Sequence, residues 1–292
     1  MNAIIIDLEQ GSEQWKSWRR NHIGASDAPV IQEVSPWKTL LQLWEEKIEG
    51  KEQEVTSAMQ RGTEKESDVR LEMSKEYYSA YKPICMQSQK HEWMTASLDG
   101  WDPYADYPII EIKCPKGDDH EMALNGEVPD HYFPQLQHQM AVAGVDVCLY
   151  VSYNESYQNP KHKIAQVVVK KEDWYCKGLI EREFKFFESL VNFDPPAATE
   201  RDMVKVNDSE ALIAAKEYKT LCEQIKSLEE QEKKLRSKLI EKAGHPRALI
   251  GDLKVSKIIR QGNVQYSKIP ELQGLDLNPY RGKPIEMWRI SQ

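Results

Sequence analysis

Two carboxylates and a lysine stand close together near the middle of the chain, in a context that favours β-strands. Residues 109–113 alternate isoleucines with charged residues. On a strand, residues two apart leave by the same face, so Glu111 and Lys113 point together while the isoleucines between and before them point toward a core. Asp99 ends an earlier strand-like run, and a turn over residues 102–108 returns the chain beside Glu111. Such a group suits a hard divalent metal ion and phosphodiester hydrolysis.

The Glu-x-Lys spacing by itself is weak evidence for a site. Five other glutamates begin the same pattern, four on predicted solvated helix faces and one at a turn: Glu45, Glu49, Glu183, Glu217 and Glu232. A surface ion pair of this kind contributes well under ~1 kcal/mol. What distinguishes Glu111 is its apolar strand and the Asp99-Gly100 pair before it. These residues leave a metal site and a surface ion pair as the two interpretations.

A second group of polar residues lies near the N-terminus. Residues 12–20 begin with a serine that suits a helix N-cap and predict a short helix that ends in Arg19 and Arg20. After a break at residues 21–25, Ser26 and Asp27 begin a second predicted helix whose last turn lies near Val34. A helix N-terminus offers free N–H groups to a phosphate, with Arg19 facing it. The alternative, which is the commoner role for these residue types, is that Ser26 and Asp27 only cap the helix.

The composition indicates a globular protein. The chain has 292 residues, of which 40% are hydrophobic and 29% charged, and its net charge is −8. That charge argues against a protein that coats nucleic acid, although a local positive groove is compatible with it. No apolar run approaches the ~20 residues of a membrane span, and the N-terminus does not resemble a signal peptide. The five cysteines never form Cys-x-x-Cys. We therefore expect a cytoplasmic protein with reduced thiols.

The predicted elements give a mixed α/β or α+β fold, a sheet flanked by helices. Helices are expected over 39–49, 55–75, 117–126, 130–144 and 171–192, and strand-like runs over 77–85, 93–98, 109–114, 147–153 and 164–169. A linker at 194–198 then separates a domain of residues 1–195 from a C-terminal extension, 205–292. The extension contains a long helix, 208–243, with an apolar seam at heptad spacing, and a small hairpin at 248–268.

Several side chains have a simple structural interpretation. The three glutamines of the 130–144 helix are expected on its surface, away from its apolar positions. His131 and His138 are expected to decorate the same helix. Trp37 and Trp101 are expected in the core or at its rim, with stacking on a nucleobase as the alternative.

Taken in order, four motifs resemble the lambda-exonuclease-like, YqaJ-type phage recombination nucleases of the PD-(D/E)xK superfamily. The first comprises Trp15-x-x-x-Arg19, residues 23–27 and residues 35–38. The other three are residues 61–66, the pair of Asp99 with residues 111–113, and the glutamine-bearing segment 134–137. The resemblance runs from about residue 14 to residue 153 and implies a restriction-endonuclease-like core. The superfamily often has a tyrosine four residues after its glutamine, whereas here Gln139 stands four residues after Gln135 and His138 occupies the position of a tyrosine in related proteins.

The resemblance implies a Mg²⁺-dependent exonuclease, with Mn²⁺ as a substitute, that degrades one strand of linear duplex DNA from its 5′ end for phage-type recombination. By position, Asp99, Glu111, the Ile112 carbonyl and Glu66 would hold metal, and Lys113 would position or deprotonate water. The residues implied to hold the 5′-phosphate or the scissile strand are Arg19, Ser26 and one of Gln135 or Gln137.

The same resemblance implies partners. They are double-stranded DNA ends, further copies of this chain in a trimeric ring, and a single-strand annealing protein, with no membrane. Two other functions remain open from the sequence. One is an endonuclease on the same core that acts in repair or restriction. The other is an inactive nuclease-like module that assembles through the long helix, against which the intact set of acidic and basic residues argues.

Overall fold

The computed structural model describes residues 3–50, 57–115, 117–260 and 262, and separates the chain into two compact units, Met1–Met203 and Val204–Gln292. The described residues of the first unit contain a seven-stranded sheet. Its strands are β1 (Ala3–Ile6), β2 (Ile23–Gly24), β3 (Lys82–Ser88), β4 (Met94–Trp101), β5 (Ile109–Lys113), β6 (Val147–Tyr153) and β7 (Ile164–Lys170). Strand β1 was not predicted from the sequence.

The sheet is mixed. Its main path runs β1-β3-β4-β5-β6-β7, and the short β2 pairs with β4. The pairs β5–β6 and β2–β4 are parallel, whereas all other pairs are antiparallel. The parallel connection from β5 to β6 contains two helices, as a crossover between parallel strands requires. The predicted class, a mixed sheet flanked by helices, is confirmed.

Seven α-helices surround this sheet within the described residues. They are α1 (Glu13–Arg20), α2 (Ala28–Ile31), α3 (Leu40–Glu49), α4 (Ser57–Glu76), α5 (Asp118–Leu124), α6 (Phe133–Ala143) and α7 (Asp173–Asn192). Ser12 caps α1 as predicted, because its hydroxyl accepts a hydrogen bond from the Trp15 amide at 3.2 Å. Thr39 caps α3 in the same way, through the Gln42 amide.

Two apolar layers sandwich the sheet. One joins β4, β5 and β6 to α6 through Leu98, Ile109, Leu136, Met140 and Tyr150. The other joins β5 and β6 to α4 through Val69, Met73, Ile110, Ile112, Leu149 and Val151. The isoleucines of β5 thus divide between the layers by period two, as the sequence predicted. Glu111 and Lys113 share the side of Ile109, which is the side that α6 covers.

The second unit contains α8 (Ser209–Ala243) and a hairpin of β8 (Arg247–Ile250) and β9 (Leu253–Ser256). The predicted long helix is present. Its seam residues Leu221, Ile225, Leu228 and Leu235 are more than half exposed. The part of the predicted hairpin at 263–268 lies outside the described residues. No helix in the described ranges is long and apolar enough to cross a membrane.

Candidate active site

The β4–β5 hairpin brings the first carboxylate to the second strand. Gly100 pairs with Ile110 in this antiparallel ladder, so Asp99 lies beside the end of β5 that carries Glu111. The Ile112 amide donates a 2.8 Å hydrogen bond to the Asp99 carboxylate. Lys113 places its ammonium 2.7 Å from the Glu111 carboxylate, and Glu111 is only 1% exposed. The structure therefore brings together the three residues that the sequence singled out.

Two amides from α6 hold the Glu111 carboxylate. Gln135 donates to Oε1 through Nε2, and Gln139 donates to Oε2 at 2.6 Å. The two glutamines are four residues apart, so they occupy one face of the helix. Both are buried, which corrects the expectation that they lie on the surface. Gln139 was not among the predicted site residues, although its i,i+4 spacing from Gln135 was a readable signal.

Glu66 approaches from α4. Its Oε1 lies 2.7 Å from Nη1 of Arg70, one turn later on the same helix. The same Nη1 donates to the backbone carbonyl of Asp99. Arg70 thereby links the α4 carboxylate to the end of β4, and it too was missed from the sequence.

Negative charge dominates this cluster. Burial, together with the carboxylates of Glu111 and Glu66, raises the pKa of Asp99 well above its usual value. Burial lowers the pKa of Lys113, but the carboxylates of Glu111 and Asp99 outweigh burial and raise it, so the ammonium keeps its proton. A third group, Glu66, adds to the negative potential. The crowded oxygens fit a hard divalent cation, which would relieve their repulsion.

Within the described residues, no three His, Cys, Asp or Glu side chains form a ready-made metal cage. The arrangement instead offers two carboxylates, Asp99 and Glu111, flanking the backbone of Ile112. Such a set is compatible with Mg²⁺, which keeps several waters and binds through one or two carboxylates.

A second group of donors borders the same cavity. Nη2 of Arg19 donates to the Ser26 hydroxyl, and the Arg19 guanidinium lies 4.6 Å from the centre of the Trp15 ring. Trp15 donates through Nε1 to the Ser97 hydroxyl at 2.8 Å. A cavity of about 150 Å³ is lined both by this group and by the carboxylate cluster, including Arg19, Ser26, Ser97, Asp99, Glu111 and Lys113. Ser97 was missed from the sequence, although it lies two residues before Asp99.

The helix expected to run from Ser26 to about residue 34 is shorter than predicted. A 3₁₀ turn, Ala25–Asp27, leads instead into the single turn of α2. The Asp27 carboxylate accepts a hydrogen bond from the Gly24 amide at 2.9 Å and lies 2.8 Å from the Lys47 ammonium. A one-turn helix has little dipole, so any anion affinity here comes from Arg19 and the hydroxyls.

Gln137 is not brought to the site. It is fully buried, and its amide donates to the Lys170 carbonyl at 2.9 Å and accepts from the Glu172 amide at 2.8 Å. These bonds attach α6 to the chain that enters α7. Of the two glutamines proposed by resemblance, only Gln135 contacts the cluster. The expectation that Gln137 lies on the surface was also wrong.

His138 and Glu183 form a buried pair, which corrects two further expectations. Neither side chain is exposed, and Nδ1 of His138 lies 2.7 Å from the Glu183 carboxylate. Nε2 of His138 lies 2.9 Å from the Thr95 carbonyl. Glu183 was expected on a solvated helix face and His138 on the surface of its helix. His131 is partly buried as well, with its Nε2 3.1 Å from Asp119.

Comparisons with known proteins agree with the motifs. Residues 14–146 match the model of the YqaJ-like viral recombinase domain family. An uncharacterized protein YqaJ from Bacillus subtilis (strain 168) is 23% identical over 265 residues, which cover 81% of this chain and 80% of that protein. The resemblance to YqaJ-type proteins is confirmed.

Solved structures share the fold. The structure of an alkaline exonuclease (LHK-Exo) from Laribacter hongkongensis is 25% identical, with a TM-score of 0.53, and the match covers 62% of this chain and 94% of that one. The structure of LHK-Exo in complex with dAMP is 24% identical, with a TM-score of 0.54 and the same coverage.

Proposed function

We propose that this chain, whose residues 14–146 match the YqaJ-like viral recombinase domain, is a metal-dependent nuclease that acts in DNA recombination. More finely, we propose that it degrades one strand of linear duplex DNA from the 5′ end and leaves 3′ single-stranded tails. Asp99, Glu111 and the Ile112 carbonyl hold Mg²⁺, or Mn²⁺ in its place, and Glu66 holds metal or its water. When bound, the metal supplies Lewis-acid stabilisation of charge on the phosphate and an activated water.

The chain's own residues have distinct roles. Gln135 and Gln139 fix both Glu111 oxygens, so that the carboxylate presents one orientation to the cation. Lys113 stays protonated and acts on the attacking water or the phosphate by its field and by hydrogen bonds. Arg19 and Ser26 hold the 5′-phosphate, and Ser97 borders the same space.

One observation carries the finer proposal: a single cavity joins Arg19 and Ser26 to the Asp99–Glu111–Lys113 cluster. A terminal phosphate bears up to two negative charges and an internal phosphodiester one, and an arginine fork can pair with its oxygens bidentately. A phosphate held on the Arg19 side would position the next diester at the carboxylates. An end-directed enzyme needs such a pocket, whereas an endonuclease does not.

The test uses linear duplex labelled at either end, carrying a 5′-phosphate or a 5′-hydroxyl, with Mg²⁺ or EDTA, resolved on a denaturing gel. We expect 5′-to-3′ degradation only with metal and faster degradation of the phosphorylated end. Arg19→Ala should abolish that difference. Arg20→Ala is the matched control, because Arg20 is the adjacent arginine and does not line the cavity. Cleavage of covalently closed plasmid would instead indicate an endonuclease. Equal degradation rates for the 5′-phosphate and 5′-hydroxyl duplexes would rule out the proposed phosphate pocket.

We further propose a homo-oligomer, a trimeric ring, that encloses the DNA and delivers its product to a single-strand annealing protein. A processive exonuclease gains from enclosing its track. The exposed seam of α8 offers apolar surface for association. Light scattering at micromolar concentration should give a mass near three times 33.9 kDa. A particle of 33.9 kDa would exclude a stable ring.

A further inference from the structure

Trp37 is an exposed aromatic side chain that the proposed chemistry does not use. Its side chain is 60% exposed, whereas Trp101, the other candidate for stacking, is 7% exposed and belongs to the core. Trp174 is also exposed, at 75%, but it begins α7 and packs edge-on against Tyr175. Of the two stacking candidates that the sequence offered, Trp37 and Trp101, the structure thus leaves Trp37 available to a ligand and places Trp101 in the core.

The loop that carries Trp37 is anchored at several points. The Ser35 hydroxyl accepts hydrogen bonds from the amides of Trp37 and Lys38 at 3.3 and 3.4 Å. Arg201 donates to the carbonyls of Ser35 and Pro36 at 3.0 and 2.8 Å. Lys38 also pairs with Glu46 on α3. The indole is therefore presented on a fixed backbone, which lowers the entropy cost of using it to bind a ligand.

Aromatic rings connect Trp37 to the cluster. Its ring centre lies 5.9 Å from that of Tyr132 with an interplanar angle of 29°, and 4.8 Å from that of His131 in an edge-on contact. The Lys113 ammonium lies 5.5 Å from the centre of the Tyr132 ring. Trp37 is therefore one aromatic ring away from the lysine of the site. Burial raises the pKa of Tyr132 to about 12, so its hydroxyl is neutral at pH 7.

We infer that Trp37 is a base-stacking platform for a nucleotide of the DNA strand next to the Lys113 side of the site, an inference that rests on the proposed nuclease function. Aromatic side chains bind single-stranded nucleic acid by stacking, which tolerates any base because every base has a π-face. An indole that is exposed, held on an anchored loop and one aromatic ring away from Lys113 of the carboxylate cluster provides such a surface. Stacking here would hold the strand as it leaves the duplex, and would be independent of sequence.

The experiment combines protein and DNA variants. Duplexes with a 5′-phosphate carry a single abasic nucleotide at each of the first four positions of the degraded strand, and kcat/KM is measured with Mg²⁺. Wild type should lose about tenfold or more at one position, since stacking on an aromatic ring is lost there. Trp37→Ala should be slower on intact DNA by a similar factor and should not respond to the abasic nucleotide. Trp37→Phe should recover part of the response, and Trp174→Ala should behave as wild type.

The outcomes separate stacking from a structural role. If Trp37 only supported Tyr132 and Lys113, Trp37→Ala would slow intact and abasic DNA alike, while the sensitivity to the abasic position would remain. That result overturns the inference, as does a wild type that cleaves DNA but is indifferent to abasic nucleotides at all four positions. A wild type that neither binds nor cleaves intact duplex overturns the proposed nuclease function itself, and the inference with it.

Discussion

Two buried aspartates of the first unit, Asp27 and Asp99, have pKa values that are shifted in opposite directions. Burial alone would raise the pKa of Asp27, but the ammonium of Lys47 and the guanidinium of Arg19 outweigh burial and lower it. Asp99 has the carboxylates of Glu111 and Glu66 as neighbours, and its pKa rises well above the usual value. The charge of Asp27 is balanced by Lys47 and Arg19, whereas Asp99 lies among carboxylates whose charge a bound cation could balance. We call Asp27 with Lys47 the closed pair, and Asp99 with Glu111, Glu66 and Lys113 the open cluster. Neighbouring charge, and not burial, distinguishes Asp99, the proposed metal ligand, from Asp27.

The largest effect should come from the open cluster. Asp99→Asn should lower nuclease activity by about 10³-fold or more, because it removes a metal-binding charge. The apparent Tm at pH 7 should stay level or rise, since the asparagine oxygen can still accept the Ile112 amide and one repelling charge is gone. Activity assays test the loss of turnover, and calorimetry on the same samples tests the unchanged or higher Tm. Wild-type turnover in Asp99→Asn would remove the assignment of the metal site.

The closed pair should show the reverse pattern, a loss of stability. Lys47→Met leaves the Asp27 carboxylate buried without its ammonium, which should cost about 3–5 kcal/mol of unfolding free energy. Lys47 also donates to the carbonyls of Arg19 and His22, at 3.1 and 2.8 Å. Urea unfolding measures the loss, and the double variant Lys47→Met with Asp27→Asn should recover part of it. A cost below about 1 kcal/mol would contradict the comparison.

Bound metal should raise the unfolding free energy by binding to the open cluster, and this gain should not depend on the closed pair. At about 100 times the dissociation constant, Mg²⁺ or Ca²⁺ should add about 2.7 kcal/mol to the unfolding free energy of wild type. Ca²⁺ should bind and inhibit, since its larger, looser coordination suits hydrolysis less well. Asp99→Asn should lose most of the stabilisation, and Asp27→Asn should keep it. Equal metal stabilisation in both variants would place the cation elsewhere.

The smallest effect concerns the pH dependence of the buried pair of His138 and Glu183. Burial lowers the pKa of His138, but the Glu183 carboxylate and the Thr95 carbonyl outweigh it and raise the pKa. Burial raises the pKa of Glu183, with His138 opposing it. Both shifts make the folded protein bind more protons than the unfolded chain, so stability must fall as pH rises. The contribution of His138 is fully present below about pH 6.5 and is lost above that, through its folded pKa.

The measurement is the unfolding free energy of wild type minus that of His138→Gln between pH 6 and pH 9. The glutamine still offers a donor to the Thr95 carbonyl but does not titrate. The difference should shrink as the pH rises. A difference that is constant or grows with pH would show that His138 is neutral throughout and acts only through packing.

Much of the carboxylate cluster could be predicted from the sequence, because the positions of its residues depend on local geometry. The alternation of residues 109–113 places Glu111 and Lys113 on one face of a strand whatever surrounds it. The turn over residues 102–108 pairs β4 with β5 in antiparallel register and so brings Asp99 beside Glu111. The cap at Ser12 depends equally on a few adjacent residues.

The same kind of argument failed where packing overrode local preference. The sequence favours a helix from Ser26 to about residue 34, yet only a 3₁₀ turn and one α-turn form, and the buried Asp27 carboxylate pairs with Lys47 of α3. The glutamines and His138 of α6 were expected on its surface. They lie inside, where each forms hydrogen bonds with other protein groups, and hydrogen bonding lowers the cost of burying a polar side chain.

The sequence by itself therefore determined the fold class, the strand that carries Glu111 and Lys113, and the partner strand that carries Asp99. Only the tertiary structure decided which distant side chains complete the site. Gln135 and Gln139 reach Glu111 across 24 and 28 residues, and Ser97 meets Trp15 across 82. Periodicity fixes the face from which a side chain leaves its own element. What that face meets depends on how whole layers of the protein pack, and no local spacing encodes it.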